Sequence, residues 1–563
     1  MHDPLIQRDA SERAVLDAVV SVRDRGAHSD ELTDAARDEL MLHHLSPQRT
    51  NILAPFRFGP GTRVLDVNAG AGTLARAVAE TGATIVALEQ SPVLAEATAI
   101  RLDELANTSV VCGSILDYDG YGDFDVVLCL DAFDHLTRDR GGATLLEQLR
   151  GLSAGDGVLA VALENPRALH DLIGEVGAVP EMLVAALDEG DPAGRRSRQV
   201  VTDLLASHGF GAQSWYFPFP DHSLSSVLLT ASAYLRPDRT DLIDQLVRQP
   251  SGPSGSLDRG VRDGRHAHRA LLAAGHGPDV ASSFLVACAR DVAALDLRVD
   301  QTSLAWLFQS HRRQQWSTTR CLTADEKFVP VETDPADRTS GWLTQQIRPP
   351  RARIAGPTVE QLALDACRRD RDALAAVVRR WDRHLAERER PIGDLPASLR
   401  GRRHLFLTEE TRRLLPPDHL DVNFTNFVAA EDGDLHYVDD EFAVDVGVDG
   451  DLARFRSLWH FARDLVVHRV QHVLGSTTTV DELAQQLAEV CDPPLTTSLD
   501  EFRRSEAEHH AMVGFCSIGE AHSTFVEAGR LTSTTARAER RDQEEPGRFV
   551  QLYRRLRRQP SSC

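Results

Sequence analysis

Lysine is almost missing from this chain: among 62 Lys and Arg residues there is one lysine, Lys327. Any chemistry that needs a lysine therefore has a single candidate. The eight cysteines are scattered without a C-x-x-C pair, a pattern that suggests neither a disulfide framework nor a zinc site. No apolar run reaches the roughly 18 residues that a membrane-spanning helix needs. The first residues, Met1 to Ala10, lack a signal-peptide pattern, so a cytoplasmic location is expected. A basic surplus is also absent. With 62 basic against 84 acidic residues the net charge is −22, which argues against a general affinity for nucleic acid or anionic lipid. No G-x-G-x-x-G loop occurs ahead of a helix, which removes the usual dinucleotide fingerprint. What remains is a chain of 563 residues, 42% apolar, too long for one core and expected to form several domains.

The stretch Val64-Leu-Asp-Val-Asn-Ala-Gly-Ala-Gly72 organises the first half. An apolar strand runs through Val67 into a turn of small residues, then a helix from Thr73 to Glu80, then a second strand ending at Glu89. This is the βαβ unit of a nucleotide-type site: small residues let backbone N–H groups approach a ligand, and the terminal acid can accept both ribose hydroxyls. The order D-x-N-x-G-x-G fits S-adenosylmethionine better than a dinucleotide. Further strands follow at Ser109–Cys112, Phe124–Leu130 and Gly157–Leu163. Polar residues collect at their carboxyl ends, among them Ser114, Asp131, Glu164 and Asn165, where ligands of such sheets sit. The last three also fit helix N-caps. Two extended runs, Ser214–Pro220 and Leu224–Thr230, predict an antiparallel hairpin that closes the sheet. Residues 1–55 read as a helical cap, and Arg49 after the Ser46-Pro47 step would lie near the glycine loop. There it could pair with the amino-acid carboxylate of the cofactor or make an exposed salt bridge.

From about Leu45 to Thr230 the chain resembles the class I S-adenosylmethionine-dependent methyltransferases of bacterial polysaccharide gene clusters. The resemblance is carried by L-S-P-Q-R-x-N at 45–51, V-L-D-V-N-A-G-A-G at 64–72, E-N at 164–165 and Y-F-P-F-P-D-H at 216–222. It implies that Asp66, Gly70 and Gly72 line the methionine half of the cofactor, that Glu89 binds the ribose, and that the loop at Gly113-Ser114 flanks the adenine. Asn68 stands where the family has its first glycine, and Ser114 where it has an acid, unless Asp117 substitutes.

Residues 236–280 read as a linker with helices, including the Gly/Ser/Pro-rich Gln249–Ser256. Arg265-His-Ala-His268 reads as a solvated helix start rather than a metal site. A second domain is expected over 281–480. Its constellation is His419-Leu-Asp421, then Asn426, a hairpin, and Asp439-Asp-Glu-Phe442. The spacing matches H-x-D-x-x-x-x-N followed by a metal-binding aspartate, and resembles the catalytic loop of protein-kinase-like and aminoglycoside-phosphotransferase-like folds. In that chemistry Asp421 takes the proton of the attacking hydroxyl, while Asn426 and Asp439 hold Mg against the phosphates of ATP. Lys327 would be the phosphate lysine, or a solvated turn residue. A charged helical tail over 481–563 ends in the basic amphipathic Val550–Arg558, which offers a face to a protein partner or a membrane surface but also fits a solvated terminal helix.

The fold class expected is α/β: a Rossmann-like methyltransferase sheet over 56–235 with an antiparallel closing hairpin, then an α+β kinase-like domain and the helical tail. The function expected is S-adenosylmethionine-dependent methyl transfer, by resemblance to a sugar, glycan or sugar-phosphate acceptor. The alternative is a catalytically degenerate scaffold in glycan or specialised-metabolite assembly.

Overall fold

The computed structural model describes residues 4–120, 122–133, 142–165, 167–169, 197–236, 239–247, 264–331, 336–395, 404–407, 411–467 and 478–532. The Gln249–Ser256 and Val550–Arg558 stretches lie outside these residues.

Three helices open the chain: α1 (Pro4–Ser21), α2 (Asp30–Ala35) and α3 (Glu39–Leu45). Ser29 and Asp38 cap the second and third, each accepting a backbone N–H three residues on, which supplies acceptors for otherwise unpaired first-turn donors. Then come β1 (Arg63–Val67), α4 (Thr73–Glu80), β2 (Thr84–Glu89), α5 (Pro92–Leu102), β3 (Thr108–Cys112), β4 (Phe124–Cys129) and β5 (Ser153–Glu164). These five strands are parallel, in the order β3-β2-β1-β4-β5. β1 beyond Arg63 and most of β4 are buried on both faces because helices cover both sides of the sheet.

The cap packs on this sheet's glycine loop through Val15, Val19, Leu32, Met41 and Leu45, which meet Ala71, Leu94 and Ala97. Arg101 of α5 fastens it. This fully buried arginine donates to the carbonyls of Arg25, Gly26 and His44 and, at 2.6 Å, to the Thr73 hydroxyl. Burial, and then Arg76, pull its pKa down to about 10, so it stays charged at neutral pH. Arg101→Met removes every one of these donors and strands the acceptors. A loss of about 2–4 kcal/mol is expected, readable as a lower denaturant midpoint for the first unfolding transition.

The sheet does not end at the hairpin β6 (Ala212–Phe219) and β7 (Val227–Thr230). β8 (Ser283–Ala289), expected to open a second domain, lies antiparallel between β5 and β6. The boundary expected at 281 is therefore corrected. The reason is in the strand itself: Ser-Phe-Leu-Val-Ala-Cys-Ala is buried at all seven positions, and a strand without a polar face belongs inside a covered sheet.

Beyond β7 the same sheet continues through β9 (Ser303–Phe308), β10 (Thr319–Thr323) and β11 (Lys327–Pro330). After the small strands β12 (Arg338–Ser340) and β13 (Leu343–Gln345), β14 (Arg351–Ala352) completes a twelve-stranded sheet. The helices Thr240–Leu246 and Gly264–Ala273, expected to belong to a linker, bury Leu242, Ile243, Leu246 and Leu272 in the core of β5, β6 and β8.

A second core gathers Trp381, Trp459, Phe502 and Phe525 from helices between Val359 and Gly529, together with Phe424 of a short turn and Phe427 of the strand Phe427–Ala429. The described helices after 480 are thus no tail. Val480–Ala488, Leu499–Val513 and Ile518–Gly529 each carry an apolar stripe, and those stripes are buried against the helix Gly450–Val467.

Candidate functional site

The glycine loop at the carboxyl end of β1 puts every second residue in the left-handed region: Asn68 at φ 60°, Gly70 at 58° and Gly72 at 73°. Asparagine tolerates that region better than other side chains, which is why it can replace the first glycine. The loop turns the Gly70 N–H onto Glu89 Oε2 at 2.8 Å, while the Ser91 N–H meets Oε1 at 2.8 Å. Each carboxylate oxygen still has a lone pair for a ribose hydroxyl. Burial raises the Glu89 pKa, and these N–H bonds oppose the shift. A Cβ on Gly70 would stand 2.7 Å from His44 Nδ1, and one on Gly72 would stand 2.9 Å from Thr98 Cγ2. Close packing, as well as dihedral freedom, therefore requires glycine at both positions.

Beside the loop, a cluster of buried charge joins residues distant in sequence. Arg49, 2% exposed, donates to Asp131 at the end of β4 and, at 3.2 Å, to the carbonyl of His222. His43 Nε2 stands 3.7 Å from the same Asp131 oxygen. Burial would raise the Asp131 pKa, but Arg49, His43 and His222 overcome it and hold the carboxyl well below its usual range. Asp66 lies next to this pair, buried, with Oδ2 lacking any hydrogen-bond partner. Burial, then Asp131 and Glu89, push its pKa up to about 7. A buried carboxyl atom without a donor, facing a nucleotide-type loop, is suited to a cationic or N–H donor such as the methionine ammonium group.

Not every expected residue opens onto this place. The Ser114 hydroxyl accepts from the Leu116 N–H at 3.3 Å and caps its own short turn, and Asp117 is exposed. Asn165 is buried and donates to the carbonyls of Asp279 and Ala281, which pins the approach to β8. Its role is structural. Glu164, its neighbour, is exposed. His43, His44, His222 and Arg101 were not foreseen; the Tyr216–His222 run was the one available signal for His222.

The second constellation also assembles. Asn426 Nδ2 donates to the Asp421 carbonyl at 2.9 Å and to Asp439 Oδ2 at 3.2 Å. The Tyr437 hydroxyl donates to the same Asp421 carbonyl at 3.3 Å. Asp439 is 6% exposed, and burial, then Glu441 and Asp421, push its pKa up to about 7. Glu441 is buried between Arg312 at 2.8 Å and Arg320 at 3.3 Å. Burial would raise the Glu441 pKa, but the two guanidiniums hold it below the usual range. Arg456 braces the loop from beneath: it donates to the Leu420 carbonyl at 2.7 Å and pairs with Glu506 at 2.5 Å. Lys327 is not part of this site. Its side chain is 52% exposed and pairs with Asp325 at 2.7 Å.

His268 is buried and bonded to the Tyr234 hydroxyl at 2.6 Å, so it is neither solvated nor a ligand. Among the described residues, no group of three or more His, Cys, Asp and Glu is arranged to hold a metal. The Asn426–Asp439 pair offers one amide and one carboxylate, donor types that Mg takes when phosphate oxygens and water complete its shell. Among the described residues, no helix is long and apolar enough to cross a membrane.

Residues 64–155 match the family model described as a methyltransferase domain. Two curated relatives are ubiquinone biosynthesis O-methyltransferases of Xanthomonas campestris pv. campestris and Xanthomonas oryzae pv. oryzae. They are 32% and 29% identical over 106 residues, 18% of this chain and 44% of each relative. The chain thus spans less than half the length of the curated relatives it matches. Among solved structures, an S-adenosylmethionine-dependent methyltransferase from Aquifex aeolicus is similar at 18% identity and a TM-score of 0.23, over 31% of this chain and 83% of that one. A magnesium protoporphyrin IX methyltransferase from Synechocystis PCC 6803, with bound SAM, is similar at 17% identity and a TM-score of 0.21, over 28% and 64%. Residues 64–155, with the glycine loop and Glu89 at their head, belong to a methyltransferase domain.

Proposed function

We propose that this protein transfers a methyl group from S-adenosylmethionine to an oxygen acceptor, and that its second domain is kinase-like and acts on the same substrate. The observation that carries the first part is the pairing of the Gly70 N–H with Glu89 next to the unpartnered Asp66 oxygen. In this reading Glu89 holds the ribose hydroxyls, Gly70 and Gly72 admit the methionine half, and Asp66 takes its ammonium group. Arg49 is already paired with Asp131, so its role becomes fixing Asp131 and the 221–222 turn at the edge of the site. S-adenosylmethionine, when bound, supplies an electrophilic methyl on sulfur. The chain's own work is then in-line positioning of the acceptor, which can supply much of the rate without a dedicated base.

An oxygen acceptor is supported by the O-methyltransferase names of the similar proteins. A sugar, glycan or sugar-phosphate acceptor is supported by the family resemblance and by the second constellation, where a hydroxyl would meet Asp421 and Mg would meet Asn426 and Asp439. A phosphorylated hydroxyl could then be the group presented for methylation. The test is methyl transfer from labelled S-adenosylmethionine to methyl glycosides, glycosyl phosphates and a catechol, with and without Mg·ATP. Labelling of glycosides or their phosphates is expected. Labelling of the catechol alone would remove the sugar reading, and an absence of S-adenosylmethionine binding would leave the scaffold alternative.

A further inference from the structure

We propose that His43 is the base of the methyl transfer: it takes the proton of the acceptor hydroxyl while Asp131 holds its ring in place. The proposal rests on the oxygen-acceptor reading. It adds the group that receives the proton, which in-line positioning alone leaves unplaced.

The first observation is where the ring stands. His43 and His44 are neighbours on α3, with ring centroids 5.1 Å apart and one ring edge-on to the other. His44 Nδ1 lies 2.7 Å from the point that a Gly70 Cβ would occupy, so α3 seats this pair on the turn assigned to the methionine half. His43 reaches from there to the end of β4, where its Nε2 is 3.7 Å from Asp131 Oδ2. A side chain between the methionine turn and the carboxyl end of β4 is placed where an acceptor meets the sulfonium methyl. The 3.7 Å separation is long for a hydrogen bond, and such contacts commonly tighten once substrate is seated.

The second observation is how the charged groups divide the work. Arg49 pairs with Asp131, and together with His43 and His222 it holds that carboxyl well below its usual range despite burial. Asp131 therefore stays a carboxylate, too weak a base for a hydroxyl proton but suited to orient a ring. An imidazole with one N–H on a carboxylate keeps its lone pair on the other nitrogen. Among the described residues, His43 Nδ1 has no hydrogen-bond partner, and the side chain is 25% exposed, so a hydroxyl can reach it. A base oriented by a third group is the arrangement that activates hydroxyl nucleophiles elsewhere. The competing histidine is His222, whose carbonyl shares Arg49 with Asp131. Its Nδ1 is enclosed by protein, which keeps an acceptor away from it.

In the step itself the hydroxyl oxygen bonds to the methyl carbon, and the carbon–sulfur bond breaks with its electron pair left on sulfur. The O–H proton passes to His43 Nδ1. The resulting imidazolium is paired with Asp131 and returns its proton to water as the ether product leaves.

The experiment measures methyl transfer from labelled S-adenosylmethionine to three hydroxyl compounds of rising acidity: a methyl glycoside, catechol and 4-nitrocatechol. The full-length parent is compared with His43→Ala, His43→Gln and His222→Ala, and each chain is titrated calorimetrically with S-adenosylhomocysteine. Both His43 variants should bind S-adenosylhomocysteine within about threefold of the parent and lose roughly a hundredfold in kcat on the glycoside or catechol. The loss should shrink below about tenfold on 4-nitrocatechol, whose hydroxyl ionises unaided, and added imidazole should restore roughly tenfold to His43→Ala. Where the parent accepts only one of the three, imidazole rescue decides. A structural role would give equal losses on every acceptor and no rescue, and that result overturns the proposal. So does parent-like turnover in either His43 variant, loss of S-adenosylhomocysteine binding in both, or an acidity-dependent loss in His222→Ala instead. Methylation of none of the three by a parent chain that binds S-adenosylhomocysteine removes the oxygen-acceptor reading and the proposal with it.

Discussion

Replacing Gly70 by valine is expected to reduce S-adenosylhomocysteine binding at least a hundredfold while leaving the chain folded. Two costs combine. The position has φ +58°, a region that a β-branched residue enters only with strain of about 1–3 kcal/mol. In addition the new Cβ would stand 2.7 Å from His44 Nδ1, so α3 or the loop must shift. Either movement breaks the Gly70 N–H bond to Glu89 and with it the orientation of the ribose acid. A combined loss of about 3 kcal/mol corresponds to roughly a hundredfold in affinity. Gly70→Ala, with a smaller side chain and the same φ penalty, should fall between the parent and valine. Equal affinity in the parent and Gly70→Val would remove the loop from the site.

Asp439→Asn is expected to abolish Mg-dependent nucleotide binding and, at the same time, to stabilise the second domain at pH 8. The sign follows from linkage. Burial, then Glu441 and Asp421, push the folded-state pKa of Asp439 up to about 7 from its ordinary value of 3.8. Between those values the folded chain binds more protons than the unfolded one, so stability falls as pH rises through this window. Above pH 7 the whole penalty of the buried charge is present. Asparagine removes the charge and can still accept from Asn426, so a gain on the order of 1–3 kcal/mol is expected at pH 8, fading as pH falls toward 4. The readout is a pair of melting curves at pH 8 and pH 5, with and without Mg. An equal Tm for both proteins at pH 8, or retained Mg-dependent binding, would contradict the role given to this carboxylate.

The βαβ unit was legible because its signals are local. The apolar strand through Val67, the small turn and the acid at Glu89 lie within 27 consecutive residues, and the structure keeps that order. β8 was readable as a strand but not as a central one, because its partners in β5 and β6 lie some 120 and 70 residues away in sequence. Nothing in Ser283–Ala289 names its neighbours; its unbroken apolar run was the only clue to a buried position. The same holds for the helices after Val480. Their apolar stripes were visible in the sequence, and only the fold shows that Trp459 and Phe455 cover them. Lys327 illustrates a different gap. Residue type pointed to it, whereas the structure leaves its side chain half-exposed and paired with Asp325, away from Asp421, Asn426 and Asp439. Asp421, Asn426 and Asp439 were legible because their spacing is set by one loop and one hairpin, and the fold keeps them together.

The central claim is that residues 64–89 bind S-adenosylmethionine, and calorimetric titration of the full-length protein with S-adenosylhomocysteine tests it most directly. The account predicts saturable binding of one equivalent, weakened at least tenfold by Glu89→Ala and unaffected by Asp439→Asn. No binding to the folded parent protein, or binding that Glu89→Ala leaves unchanged, would contradict it.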